Sequence, residues 1–172
     1  MSRARCFVFV GVSLDGFLAG PGDELDWLKP FEGEEHGYAE FFASVDTLVV
    51  GRRTYDVVRD FEAWPYAGKR CVVLTHRPIQ ALHGEEVSAE APEALIARLS
   101  AEGARNIYVD GGIVIRSFLA AGLVDEMTVT VVPMILGSGV PLFTQGGRTR
   151  ALSLIESRAF PRGLVRLRYA PA

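Results

Sequence analysis

The sequence predicts an α/β fold: a mixed, mainly parallel central sheet flanked by helices and extended by antiparallel strands at its C-terminal end. Three observations carry this expectation. Short apolar strands alternate with helix-period segments over the first two thirds of the chain. The first strand, Cys6 to Val12, is apolar on both alternating faces, as a strand covered on both sides reads. From Val124 onward the pattern changes to alternation, and strand follows strand without an intervening helix. At 172 residues the chain has the length of one ordinary domain, and 1–172 is expected to form a single unit without repeats or linkers.

The elements follow in order. After the first strand comes a connection from Ser13 to Pro30 that carries Gly16, Gly20, Pro21 and Gly22 and one large apolar anchor, Trp27. Connections of this length are uncommon inside compact domains and more often functional than idle. Tyr38, Phe41, Phe42 and Val45 share one helical face. Thr47 to Val50 reads as a short buried strand ending at Gly51, Arg53 to Val58 as a short helix, and Arg70 to Thr75 as a strand closed by Arg77 and Pro78. Pro92 at a first helical position, Leu95, Ile96 and Leu99 on one face and Gly103 beyond the end define the next helix. Asn106 to Asp110 is a strand. Gly111 and Gly112 then open a helix bearing Val114, Ile115, Phe118 and Leu119, stopped at Gly122. In Val124 to Val132, Met127, Val129 and Val131 face one way and Thr128 and Thr130 the other. Leu152 to Glu156 and Leu164 to Tyr169 complete the strands.

Composition narrows the function classes. A hydrophobic share of 49% excludes a disordered chain. A net charge of −3 provides no electrostatic footprint for nucleic acid and no polybasic membrane patch. The longest apolar runs, Cys6 to Val12 and Val131 to Leu136, fall far short of the roughly 18–20 residues of a membrane helix. The N-terminus runs into a strand without a cleavage signal, and Cys6 and Cys71 form no CxxC pair, so a reduced, cytoplasmic protein with buried thiols is expected. His36, His76 and His83 lack metal-ligand spacing, and no metal is expected. There is no phosphate-loop GxxxxGK[ST] motif. Gly11-Val12-Ser13-Leu14-Asp15 resembles a nucleophile elbow, but Asp15 stands where the second glycine is required. Gly137 and Gly139 supply only two glycines of a dinucleotide fingerprint, and Pro141 disfavours the helix that should follow.

Two glycine sites have the context for phosphate. At Asp110-Gly111-Gly112-Ile113 a strand passes through two glycines into a helix, exposing backbone N–H groups at the positive end of the helix dipole. At Gly51-Arg52-Arg53-Thr54 two guanidiniums and a hydroxyl stand at a second strand-to-helix turn, where arginine offers a planar match to phosphate oxygens. Thr75-His76-Arg77 adds a hydroxyl and a cation at a third strand end. The bland alternatives are a tight turn for the first and a capped helix with solvated arginines for the second. The carboxyl ends of parallel strands lie along one edge, so the three can act together.

These residues, with Ser13-Leu14-Asp15-Gly16-Phe17-Leu18-Ala19 and the run from Leu123 through Pro133 to Phe143, resemble the dihydrofolate reductase-like superfamily. Within it they look most like the C-terminal reductase domain of bifunctional riboflavin biosynthesis proteins. The resemblance covers nearly the whole chain. It implies NADPH bound along the carboxyl edge, with Gly51, Arg52, Arg53, Thr54, Thr75 and Arg77 near the 2′-phosphate, Gly111, Gly112 and Ile113 at the pyrophosphate, and Leu18 and Ala19 bordering the nicotinamide. It further implies hydride transfer to a pterin-like or riboflavin-precursor-like heterocycle, and a homodimer. The chain departs from the riboflavin-pathway pattern in having no Lys before Ser13 and Asp110 in place of Glu. On the substrate side stand Trp27, as anchor of a lid formed by the Ser13–Pro30 loop, and Glu35, beside Glu34 and His36. Glu35 equally reads as a solvated residue of the first helical turn. Asp15 is the best-placed carboxylate for proton delivery or substrate orientation; equally, it caps its own turn. A nucleotide- or flavin-binding protein without turnover, and a true dihydrofolate reductase, are the alternative functions.

Overall fold

The chain is described here by a computed structural model covering residues 2–172. Its strands are β1 (Arg5–Ser13), β2 (Phe17–Ala19), β3 (Thr47–Gly51), β4 (Arg70–Leu74), β5 (Glu86–Ser88), β6 (Asn106–Asp110), β7 (Val124–Val132), β8 (Val140–Pro141), β9 (Leu152–Ala159) and β10 (Val165–Pro171). Its helices are α1 (Tyr38–Ser44), α2 (Arg52–Val58), α3 (Pro92–Ala101) and α4 (Gly112–Ala120). Eight strands form one sheet in the order β5-β4-β3-β6-β1-β7-β10-β9. Pairing is parallel from β5 through β7, and β10 and β9 add antiparallel. This is the expected mainly parallel sheet with an antiparallel C-terminal extension.

Burial explains why the central strands are apolar on both faces. On one face Cys6, Val8, Val10 and Val12 of β1 pack with Leu95, Ile96 and Leu99 of α3 and Val114, Ile115 and Phe118 of α4. On the other, Phe9, Leu48, Val50 and Tyr108 pack with Tyr55 of α2 and with Tyr38, Phe41 and Phe42 of α1. Each fully buried leucine or isoleucine contributes roughly 1.5–3 kcal/mol relative to exposure. Both thiols are free and buried, and loss of hydration pushes each up to about 12, so they stay protonated and unreactive.

Four details differ from the sequence reading. The Ser13–Pro30 stretch is not one open loop: it holds β2 and two 3-10 turns, Pro21–Asp23 and Asp26–Phe31. β2 pairs with β8 in a separate small sheet, which ties the first connection to the segment after β7. These strands and β5 have two or three residues each, too few for a periodic signal. Helix α1 stops at Ser44, and Val45 is extended although buried; α2 begins one residue early, at Arg52.

Candidate active site

The carboxyl ends of the parallel strands meet along one edge, and there the heads of α2 and α4 touch. Gly111 lies at φ +98°, a conformation reserved in practice for glycine. A Cβ on Gly111 would stand 2.7 Å from Thr54 Oγ1 and 3.4 Å from the Gly51 nitrogen. A Cβ on Gly112 would stand 3.0 Å from Arg116 Nη1, 3.2 Å from Leu18 Cδ1 and 3.4 Å from the Pro141 carbonyl oxygen. Five residues picked from the sequence, Leu18, Gly51, Thr54, Gly111 and Gly112, are thereby brought into one place. The head of α4 has no side-chain cap and no acidic residue in its first turn. Its leading N–H groups and dipole therefore suit an anion. Ile113 is exposed on the rim, and Ala19 is buried in β2 with its carbonyl against Gly139.

The arginines divide their work. Arg52 Nε donates to Asp56 at 2.8 Å and its Nη1 to the Pro78 carbonyl at 3.0 Å, which joins α2 to the segment after β4. Thr75 Oγ1 accepts from the Arg77 backbone nitrogen at 3.1 Å, so Arg52, Thr75 and Arg77 do gather at one strand end. Arg53 Nε donates to Asp23 at 3.0 Å and ties α2 to the first connection.

Asp15 is exposed, and its carboxylate accepts from Ser13 Oγ at 2.6 Å, Leu136 N at 3.1 Å and Gly137 N at 2.7 Å. The Ser13 hydroxyl first, and then the two amides, hold its pKa below the ordinary carboxylate range. Such a group is ionised at neutral pH and has no proton to deliver. What it does is clasp the turn after β1 to the turn at Gly137. Trp27 is 7% exposed and packs with Val132 and Leu164, as an anchor beneath the first connection. Glu35 is exposed and lies three residues ahead of α1, outside the helical turn expected for it. Its neighbour Glu34 is held by Arg162 at 2.9 Å.

A carboxyl group to which the sequence reading gave no role stands beside this head. Asp110 ends β6 immediately before Gly111; its Oδ1 accepts from Gly111 N at 2.9 Å and its Oδ2 from Tyr66 Oη at 3.2 Å. Loss of hydration raises its pKa above the ordinary value, against those hydrogen bonds. The phenols of Tyr38, Tyr66 and Tyr108 are raised as well, first by burial and then by this carboxylate, so all three remain protonated. The signal available in the sequence was a lone acid after a fully apolar strand and before two glycines. Among the described residues no group of three or more His, Cys, Asp or Glu is placed to hold a metal ion.

A mainly parallel sheet with two glycine-opened helix heads meeting at its carboxyl edge, beside a half-buried acid, defines a reductase-like fold. The chain belongs to the RibD C-terminal domain family, whose pattern matches residues 5–166. That family lies within the dihydrofolate reductase-like superfamily. The chain is 37% identical over 173 residues to the uncharacterised protein YwjB of Bacillus subtilis strain 168, covering 98% of each. It superposes with a TM-score of 0.90 on a Shewanella sp. PV-4 protein assigned provisionally to riboflavin biosynthesis, at 33% identity over 98% of this chain and 99% of that one. It shares its fold, at 14% identity and a TM-score of 0.75, with the diaminohydroxyphosphoribosylaminopyrimidine deaminase/5-amino-6-(5-phosphoribosylamino)uracil reductase of Thermotoga maritima, covering 99% of this chain and 57% of that one.

Proposed function

We propose that the chain, acting as one domain, is an NADPH-dependent reductase that transfers a hydride to a small planar heterocycle of the pterin or riboflavin-precursor pyrimidine kind. The observation that supports this best is the uncapped head of α4, opened by Gly111 and Gly112 against Thr54 and lying directly beside the half-buried acid Asp110. The residues fit the cofactor: the head of α4 carries no side-chain cap and no acid in its first turn, and its two glycines let the chain pass close to Thr54 and Leu18 where a Cβ would collide. The amides of Gly112 and Ile113 would hold the pyrophosphate, with Gly111, whose own N–H is taken by Asp110, opening the turn; Arg52 and Thr54 with Thr75 and Arg77 would hold the 2′-phosphate, and Leu18 and Ala19 the border of the nicotinamide. When bound, NADPH supplies the hydride. The protein supplies the proton. Asp110, whose pKa is raised by loss of hydration, donates in its protonated form to the nitrogen or oxygen of the reduced double bond while the adjoining carbon accepts the hydride, and solvent then restores the Asp110 proton. Asp15 and Trp27 act at one remove by holding the first connection in place.

Titration with NADPH and, separately, NADH tests the reading through tryptophan quenching. Arg52→Ala is expected to weaken NADPH by about tenfold to a hundredfold, the worth of one charge-assisted hydrogen bond, and to leave NADH unchanged. Equal losses for the two nucleotides would remove Arg52 from the 2′-phosphate.

The same reading includes a homodimer built on β9. That strand ends the sheet with an unpaired edge, and Leu154 and Ile155 are 56% and 48% exposed on it. Unpaired edges with apolar side chains are covered in native proteins. Ile155→Glu is expected to shift the protein to monomer in sedimentation velocity without loss of its far-ultraviolet circular dichroism. Among the described residues no helix is long and apolar enough to cross a membrane; a cytoplasmic location belongs to the proposal.

A further inference from the structure

At the opposite edge of the sheet, away from the glycine-opened heads, a cavity of about 260 Å³ opens to solvent where β7 begins and α4 and β10 end. Its floor is Val124 and Met127 of β7, both buried. Leu152 of β9 and Tyr169 and Pro171 of β10 form one wall, and Leu119 of α4 faces them. The topology gathers these residues. β10 runs antiparallel to β7 and so finishes at this edge, and β9 starts beside it with Leu152 paired to Pro171. Helix α4 runs from the carboxyl edge to this one, so its last turn reaches the cavity about 12 Å from its head.

Among the described residues that line the cavity, Arg150 alone carries a charged side chain. Its Nη2 donates to the Ala120 carbonyl at 2.9 Å and so caps the end of α4. Its Nη1 stands over Gly122, 3.7 Å from where a Cβ on that residue would lie. Arg3, Arg70, Arg98 and Arg168 are each paired with a carboxylate, whereas Arg150 takes a carbonyl oxygen. The bond to Ala120 engages one of the five N–H donors of a guanidinium. It anchors at the mouth of the cavity a cation whose charge the carbonyl does not neutralise.

These walls and this charge specify an occupant. Water in an apolar recess finds few partners, and such space suits an apolar body instead. A cavity of about 150 Å³ takes a benzene ring, so this one has room for a ring with a short chain. The Tyr169 ring and the Met127 thioether are partners that an aromatic ring favours. A single guanidinium matches a carboxylate. The second charge of a phosphate would meet no further cation in the lining and would face the negative end of the α4 dipole.

We propose that this cavity is a second ligand site, which takes a small monocarboxylate with a compact apolar body, of the arylpropanoate kind. The ring packs against Met127, Val124 and Tyr169, and the carboxylate accepts from the Arg150 guanidinium at the mouth. The site lies at the far end of α4 from the candidate active site, and the binding needs neither NADPH nor the reductase reading.

Isothermal titration calorimetry with 3-phenylpropanoate, and with 3-phenylpropanamide as its neutral counterpart, tests this. The native protein is expected to favour the carboxylate by about tenfold or more, the worth of a charge-assisted hydrogen bond. Arg150→Gln, at an exposed position, brings that ratio close to one. Glutamine can still donate to the Ala120 carbonyl, so the end of α4 keeps its cap and the thermal midpoint stays in place. Leu152→Ser weakens both compounds alike, by about fivefold, because both lose the same wall. Failure of the native protein to bind either compound, equal affinity for the two, or a ratio unchanged in Arg150→Gln overturns the proposal. So does binding seen only in the Ile155→Glu variant, since a second copy of the chain then fills the cavity in the native protein.

Discussion

Gly111→Ala is expected to raise the NADPH dissociation constant by at least about a hundredfold and to destabilise the protein by about 2–5 kcal/mol. Two costs add. The backbone at φ +98° is strained for any residue with a Cβ, at about 1–3 kcal/mol. The new methyl group also stands 2.7 Å from Thr54 Oγ1 and 3.4 Å from the Gly51 backbone, so it forces apart the two helix heads that form the anion site. Thr54 is short and β-branched and has little freedom to retreat. Thermal unfolding should shift by about 5–15 °C for a chain of this size. Gly103→Ala is the control: its φ of +101° is similar, but nothing lies within 4 Å of its Cβ position. It should show the strain alone and leave NADPH affinity intact. Equal effects of the two substitutions on affinity would dissociate Gly111 from the nucleotide.

Asp110→Asn is expected to lower acceptor-dependent NADPH oxidation by about 10²–10⁴-fold, the range of a positioned general acid, with NADPH affinity retained. The amide can still accept from Gly111 N and pair with Tyr66, so the fold is preserved while the exchangeable proton is lost. The pH dependence has a defined sign. Burial raises the Asp110 pKa, so the acid is protonated, and the native rate full, at low pH; the rate declines as pH rises through that raised value. Stability moves in the same direction. The native state holds a proton that the unfolded chain releases above the ordinary carboxylate pKa, so the contribution present below that pKa is lost as pH rises through the folded value. The Asn variant should show neither dependence. Native activity that rises with pH across this window would overturn the assignment of Asp110 as proton donor.

The glycine-opened helix head of the candidate site was legible because it is written in local chemistry. A glycine pair after an apolar strand announces an opened helix head wherever it occurs, and Gly111 and Gly112 carry that signal without help from distant residues. The short strands β2, β5 and β8 were not legible, since two or three residues cannot establish a period and their pairing partners are distant in sequence. Arg53 shows what charge alone leaves open: its ion pair with Asp23, thirty residues away, depends on how the first connection docks and not on its place beside Arg52.

What the sequence by itself determined was the order of strands and helices, the two-faced burial of the central strands and the positions of the glycine openings. Each depends on side-chain type and spacing within a single element, where period and backbone freedom are local properties. What only the tertiary structure decided was the state of the polar groups. Asp15 and Asp110 are the same residue type, and both end on a turn after an apolar strand. Packing leaves one in water, with its pKa lowered by hydrogen bonds from two loops, and half-buries the other beside phenols, with its pKa raised by loss of hydration. Loss of water governs charge, and it is set by neighbours that the fold brings in from far along the chain.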